Sequence, residues 1–457
     1  MQSSLSHLDL VLIGAYILLC LFIGWKSSRN ESTEGFLLGD RKLGTFENIA
    51  TMLASKTGGG MFLTAVTFMY LYGGAILWAY VGIGVGYLIF VKIGTTLRRL
   101  SEEKKYYTLS DYYFDKFDNV AGYTTAFAIL IGLMMGLIIQ LTGGAMIMSQ
   151  LMGWSFEAAL IITSVTILIY ITLGGFKAVV KTDIAQFFAL IVLSTFIGFV
   201  LINGMEMSYG EFEFTALPVK TLIGFFLFGI LYPFASAELW QRIYAGKSVK
   251  SIQKTIVASA FIYVLLGIPF MMMGLGIKAK LPPTNSEVAL IEGFLQLLPS
   301  GIMGIGLVAI FAAIMSSADT ALFTMTSVVL QDFYDRIRKT TGRVVSKGNL
   351  VKLFRVWLGI FMIVGFSLSL FLRSINDAAL IFTGFVPVTA LTVLFSWIWK
   401  CMPGYFFTLM IGFGYAGSIY AIFTIGITEQ LILSGLEGAL VGFGVGLLIH
   451  GWVKIRT

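Results

Sequence analysis

The sequence predicts an all-α polytopic membrane protein of about 13 transmembrane helices, and three observations predict it. The chain has 457 residues, of which 57% are hydrophobic and only 12% charged; soluble domains carry about 25% charged residues. The apolar residues fall into long runs, and one membrane crossing takes about 20 of them. The basic residues collect in short clusters between alternate runs, the distribution that membrane topology imposes. The 51 glycines and 39 phenylalanines fit the same class. Glycine lets helices approach closely in lipid, where little hydrophobic force acts between them, and phenylalanine suits a lipid-facing surface.

The spans fall at 8–25, 46–73, 76–97, 123–150, 156–174, 183–204, 219–241, 254–277, 299–329, 352–372, 377–398, 404–425 and 430–451. The N-terminus lacks the cleavage pattern of a secretory signal, so the first run reads as a retained span. Basic clusters follow every second span. They include Lys26, Arg41 and Lys42, then Arg98, Arg99, Lys104 and Lys105, then Lys177 and Lys181. Arg242, Lys247, Lys250 and Lys254 come next, then Arg336, Arg338, Lys339, Arg343 and Lys347, then Lys400, and Lys454 with Arg456. The intervening loops are short or acidic, as at Glu206, Glu211 and Glu213. The positive-inside bias thus puts the N-terminus outside and the C-terminus in the cytoplasm. Residues 279–298 read as an external loop with a short surface helix.

Other classes fit poorly. The net charge of +7 is dispersed over loops rather than gathered into a nucleic-acid face. Cys20 and Cys401 lie in or beside apolar runs and suggest neither a disulfide framework nor a metal site. His7 and His450 lie near the two ends, which argues against a histidine-based catalytic centre. No enzyme, organic cofactor or obligate protein partner is expected. No polar stretch is large enough for a signalling domain, which weighs against a sensor.

Polar groups inside the spans are the candidate site, because a charge at membrane depth is costly and usually faces a cavity, a partner or a path. Lys56 lies well inside the second span and is followed by Thr57, Gly58, Gly59 and Gly60. Consecutive glycines lower helix propensity, and a broken helix frees carbonyls where protein or a wet cavity surrounds it. The plainer reading is close packing around the glycines, with Lys56 snorkelling. In the ninth span Ala313 and Ser317 share a face, with Ser316 adjacent, and Asp319 and Thr320 follow. Serine hydroxyls suit a small hard cation, or simply bond back to their own helix. Asp183 opens the sixth span, either as a helix cap or as part of a cation relay with the ninth. Gln140 in the fourth span either contacts a solute or joins helices. Tyr232, Pro233 and Phe234 interrupt the seventh span, where proline removes a backbone donor; the aromatics face either solute or core. Glu238, Gln241 and Arg242 at its cytoplasmic end read as a gate or salt network rather than a solute contact.

These blocks resemble the sodium:solute symporter family, which includes bacterial proline and sialic-acid transporters and sodium–glucose cotransporters. The strongest are GGFKAVVKTDIAQ at Gly174–Gln186 and AAIMSSADT at Ala312–Thr320. FLLGDRKLG at Phe36–Gly44 and ELWQRIYAGKS at Glu238–Ser248 support them. The resemblance covers nearly the whole chain. It implies a five-plus-five inverted-repeat core of the LeuT-like kind, in the amino-acid–polyamine–organocation superfamily. One half would be 46–204 and the other 219–398, with 1–45 (first helix and cytoplasmic loop) and the two last helices at 404–457 peripheral.

By the same resemblance, carbonyls of Ala54, Thr57 and Ala313 and hydroxyls of Ser316 and Ser317 would bind sodium, the coupling ion. Asp183, Ser317, Asp319 and Thr320 would be counterparts of a further sodium-related site. Lys56, Gln140, Tyr232 and Phe234 are the candidate solute contacts. Lys56 departs from the proline-transporting branch, which has an acid there. Four readings of it are open: pairing with Asp183 or Asp319, attraction of a carboxylate solute, a built-in cation, or a titrating gate. The function implied is sodium-coupled symport of a small polar or anionic organic solute into the cell by alternating access, in the plasma membrane (a prokaryotic inner membrane). Alternatives are proton-coupled or weakly coupled transport in which Lys56 replaces or modifies the sodium role, and, behind these, a channel or sensor.

Overall fold

The computed structural model describes residues 6–27, 33–172, 175–204, 212, 214–282, 285–286, 288–336, 338 and 347–456. Gly174, Glu206, Glu211, Glu213, Lys339 and Arg343, named above, lie outside the described residues. Among the described residues regular structure is helical, apart from one bridge joining Leu43 to Gly246. Nine of these helices are long and apolar enough to cross a membrane, and shorter apolar helices lie at His7–Ile23, Phe156–Ile169 and Val219–Leu231.

The chain opens with α1 (His7–Ser27). After short helical stretches at Thr33–Leu38 and Gly39–Arg41 come two short helices, α2 (Thr45–Lys56) and α3 (Gly59–Tyr72). Between them Thr57 leaves helical geometry and Gly58 is extended at φ −63, ψ 167, at the position where the glycine run lowers helix propensity. A tight turn at Gly73–Ile76 leads into α4 (Leu77–Lys104), and the small α5 (Leu109–Lys116) into α6 (Asn119–Met152). The Asp118 carboxylate accepts from Ala121 N at 2.8 Å to cap α6, satisfying one of the donors a helix start leaves open. Next come α7 (Phe156–Thr172) and α8 (Phe176–Ile202), the latter with a π turn at Ala189–Leu193.

The second interrupted pair is α9 (Val219–Leu231) and α10 (Ala237–Ala245). Pro233 lies in the gap, where it cannot continue a helical ladder. Then follow α11 (Val249–Lys280), α12 (Ala289–Leu297) and α13 (Ile302–Asp335), whose last turns are π-helical. The series ends with α14 (Lys347–Phe371), α15 (Ile375–Ile398), α16 (Gly404–Ile425) and α17 (Leu431–Arg456).

Two placements differ from the sequence expectation. α8 starts at Phe176, so Asp183 lies about two turns inside the helix and does not cap it. The helix in the 279–298 loop does form, but Leu290, Ile291 and Phe294 are buried, so one face belongs to the core.

The helices approach closely where glycine permits. A Cβ on Gly229 of α9 would lie 2.3 Å from Ala79 O and 2.7 Å from Ile83 N of α4, and one on Gly82 would lie 2.3 Å from Phe226 O. The backbones of α4 and α9 thus touch, and dispersion replaces the hydrophobic drive that lipid does not supply. Asp9 of α1 caps α13 from outside, accepting from Gly301 N at 2.9 Å and Gly304 N at 2.7 Å. Gly229→Leu should therefore push α4 from α9 and cost about 1–3 kcal/mol or more. A thermal melt of the detergent-solubilised variant checks it, and an unchanged melting temperature contradicts the contact.

Candidate ion and solute site

The C-terminus of α2 ends inside the protein, and a helix end leaves its last four carbonyls without partners. Each of the four is met. Leu53 O accepts from Thr57 N and Thr57 Oγ1, both at 2.9 Å. Ala54 O accepts from Ser316 Oγ at 2.9 Å, and Ser55 O from Ser317 Oγ at 2.9 Å. Lys56 O accepts from Tyr263 Oη of α11 at 3.2 Å. Ser316 Oγ also lies 3.0 Å from Ala313 O within α13. Ala54, Ala313 and Ser316 thus share one buried oxygen cluster, with Ser317 and the α2 end at Thr57 beside it. The gap closes tightly: a Cβ on Gly58 would lie 1.9 Å from Ser317 Oγ and 3.2 Å from Gln140 Nε2.

This donor set is carbonyl and hydroxyl oxygen, the chemistry a hard alkali cation takes. Among the described residues no three His, Cys, Asp or Glu side chains converge on a metal. The C-terminal end of α2 also carries the negative end of its dipole.

The other predicted ligands sit elsewhere. Arg242 of α10 donates from Nη2 to Asp183 Oδ2 at 3.1 Å and to Thr320 Oγ1 at 3.0 Å, and from Nε to Thr51 Oγ1 at 2.9 Å. The Thr51 hydroxyl in turn donates to Asp183. Asp183 and Thr320 are therefore gathered around a guanidinium. Asp319 is buried within electrostatic reach of Tyr16 and Cys20 of α1.

Lys56 does not pair with Asp183 or Asp319. Its ammonium donates to the Glu238 carboxylate and, at 2.6 Å, to Ser236 Oγ, and lies 4.6 Å from the centre of the Tyr232 ring. Lys56 belongs to α2 and Glu238 to α10, so the pair ties together the two helices that follow or precede the breaks.

A cavity of about 160 Å³ adjoins this group. Its wall includes Ser55, Lys56, Gly58, Gln140, Tyr232, Glu238, Ser317 and Thr320, with Phe68, Phe225, Phe228 and Phe382 on the apolar side. A second, smaller cavity shares Lys56, Tyr232, Glu238 and Phe382 with it. Of the predicted solute contacts, Lys56, Gln140 and Tyr232 line the main cavity. Phe234 does not: it is fully buried against Phe90, with ring centroids 5.4 Å apart.

Thr51, Ser236 and Tyr263 carry no signal in the sequence, whereas Glu238 and Arg242, read there as a gate or salt network, do form ion pairs, with Lys56 and Asp183, and Glu238 also lines the cavity. One signal was available. Glu238 and Arg242 are four residues apart, hence on one face of a helix, and two opposite charges on one face of an apolar span imply inward partners.

The profile described as "Sodium:solute symporter family" matches residues 36–412. An osmoregulated proline transporter of Bacillus subtilis (strain 168) is 25% identical over 424 residues, covering 86% of this chain and 84% of the relative. A sodium/pantothenate symporter of Haemophilus influenzae is 25% identical over 334 residues, covering 69% of each chain. The structure of a Na+-coupled sialic acid symporter, in a substrate-bound outward-open state, superposes with a TM-score of 0.80 at 17% identity. That superposition covers 97% of this chain and 98% of the other, so the two share a fold.

Arg242→Ala should leave Asp183 buried and unpaired, and removing one member of a buried pair costs about 3–5 kcal/mol. The double variant Arg242→Met with Asp183→Leu should recover most of that loss. Thermal unfolding of the three proteins checks it; a double variant as unstable as the single would contradict the pairing.

Proposed function

Since the chain belongs to the sodium:solute symporter family, we propose that it carries a small polar organic solute into the cell with sodium, by alternating access. The observation that carries this reading is the junction of a broken helix with a serine-bearing helix. There the carbonyls of Ala54 and Ala313 and the hydroxyl of Ser316 meet in a buried cluster beside a cavity. Sodium would take Ala54, Thr57, Ala313, Ser316 and Ser317 as ligands, exchanging hydroxyl–carbonyl hydrogen bonds for coordination. Its binding would fasten α2 to α13, and coupling follows if the two access states differ in that contact. A transmembrane potential of 100 mV adds about 2.3 kcal/mol per charge carried inward.

We assign one sodium per cycle. The guanidinium of Arg242 already supplies a positive charge between Asp183 and Thr320, so a second cation there would meet like charge at close range. The expected attraction of an anionic solute by Lys56 also weakens, because that ammonium is engaged by Glu238. A polar solute is the better match to the cavity.

In this reading thirteen spans cross the membrane: α1, the α2–α3 pair, α4, α6, α7, α8, the α9–α10 pair, α11, α13, α14, α15, α16 and α17. Each proposed half, 46–204 and 219–398, opens with a broken helix, the pattern of inverted-repeat transporters that bind at the midplane. Basic loops would face the cytoplasm, with the N-terminus outside. A second reading, proton-coupled or weakly coupled transport, is favoured by one observation: Lys56 lines the cavity one residue from the oxygen cluster.

Uptake into proteoliposomes with sodium and proton gradients imposed separately tests the choice. Sodium should drive uptake with a Hill coefficient of about one, and equal uptake on a proton gradient without sodium would overturn the assignment. Ser316→Ala with Ser317→Ala should raise the half-saturating sodium concentration by about tenfold or more, a loss of about 1.4 kcal/mol. Unchanged sodium dependence in that folded double variant would remove the site.

A further inference from the structure

We propose that Glu238 is a solute-binding residue and that the solute carries a cationic nitrogen. The proposal rests on the transport reading and names the chemistry its cavity selects.

An ammonium has three N–H groups and no acceptor, whereas a carboxylate offers about four acceptor positions. The Lys56 ammonium spends its donors on Glu238, Ser236 and the face of Tyr232. Its side chain is 2% exposed. Glu238 receives Lys56 on one oxygen and is 13% exposed. Arg242, one turn on, bonds the Glu238 backbone carbonyl at 3.2 Å and not the carboxylate. The lysine is saturated, and the carboxylate, which lines the cavity, has acceptor positions beyond the one that Lys56 uses.

Glu238 lines both the main cavity and the smaller one next to it, so a solute moving between them passes its carboxylate. The remaining polar groups of the main cavity are neutral, among them Gln140, Ser317 and Thr383. The walls at Phe68, Phe225, Phe228 and Phe382 present aromatic rings, whose faces attract cations and do not attract anions. Glu238 also sits in the first turn of α10, at the positive end of that helix's dipole. An anionic solute would have to strip Lys56 from Glu238 and leave that carboxylate buried with no counter-charge. A cationic nitrogen adds a partner to Glu238 without breaking the pair.

The test uses the purified full chain in sodium buffer and reads thermal stabilisation by matched compounds. Proline is set against tetrahydrofuran-2-carboxylate, choline against 3,3-dimethylbutan-1-ol, and alanine against propionate. At least one nitrogen compound should raise the melting temperature where its nitrogen-free isostere does not. The proline and choline arms distinguish an N–H donor from a quaternary ammonium. Glu238→Gln should weaken that binding by about tenfold to a hundredfold, the worth of one hydrogen bond to a charged group. Glu238→Asp should restore part of it, and it keeps the charge on Lys56 compensated if the glutamine variant folds poorly. The proposal is overturned if the isosteres stabilise equally, if no nitrogen compound stabilises at all, or if the glutamine variant binds as the parent does. Stabilisation by sodium alone is read in the same experiment. Its absence would sink the ion site, while the nitrogen comparison, repeated in potassium buffer, would still decide the role of Glu238.

Discussion

The end of α2 has to be satisfied inside a membrane, and much of the site follows from that. In lipid an unmet carbonyl costs several kcal/mol, and the last four carbonyls of a helix have no partner of their own. Here Thr57, Ser316, Ser317 and Tyr263 each supply a hydroxyl. Two of these come from α13 and one from α11, so three helices meet at one break. In the proposed transport reading the same hydroxyls have a second use. An alkali ion could take the place of the hydroxyl–carbonyl hydrogen bonds, the O–H groups turning outward, and bind carbonyl and hydroxyl oxygens together, because its demands are those of a hard Lewis acid with no need for a carboxylate. A helix end made stable by hydroxyls is thereby ready for a weakly held cation.

The charges are arranged around this junction rather than in it. Lys56 points to Glu238, and Asp183 to Arg242. Buried pairs of this kind add little net stability, since desolvation offsets most of the attraction. What they do is fix position. Glu238 and Arg242 lie on one face of α10, so a rigid helix of nine residues holds one pair against α2 and the other against α8. Thr51, on α2, joins the second pair through its hydroxyl. A movement of α10 would therefore strain both pairs together, which suits α10 to the two-state role that the proposed alternating access requires.

The sequence carried the helix breaks and the hydroxyl pair because they are local. Gly58 to Gly60 and Pro233 act through backbone propensity, and Ser316 and Ser317 sit in one turn, so neither needs knowledge of packing. The partners of the charges were not legible. Lys56 and Glu238 are 182 residues apart, and nothing local distinguishes Glu238 from Asp183 or Asp319 as its partner. Reading 219–241 as one span put Glu238 at a cytoplasmic helix end, but the gap between Leu231 and Ala237 makes it the start of a new helix beside the cavity. Phe234 illustrates the converse. Its neighbour Pro233 marks the break correctly, yet the side chain turns to Phe90, because a break fixes where the backbone bends and not which way each residue faces. Thr51 lies one turn before Ser55 in an ordinary helix and carries no signal at all.

The neutrality of the site has a consequence for the ion. Each fixed cation near the oxygen cluster has its own acid, so a sodium ion arriving there meets compensated charge rather than a bare ammonium. At the effective dielectric of a protein interior, about 20, an uncompensated charge 4 Å away would repel it by about 4 kcal/mol. That is about three powers of ten in affinity, enough to abolish useful binding. The reversed charge at position 56 is thus compatible with sodium use only because Glu238 accompanies it. In the proposed reading lysine and glutamate together would do what neither does alone: they would leave the field at the break near that of a neutral residue, and they would keep a carboxylate on the cavity wall.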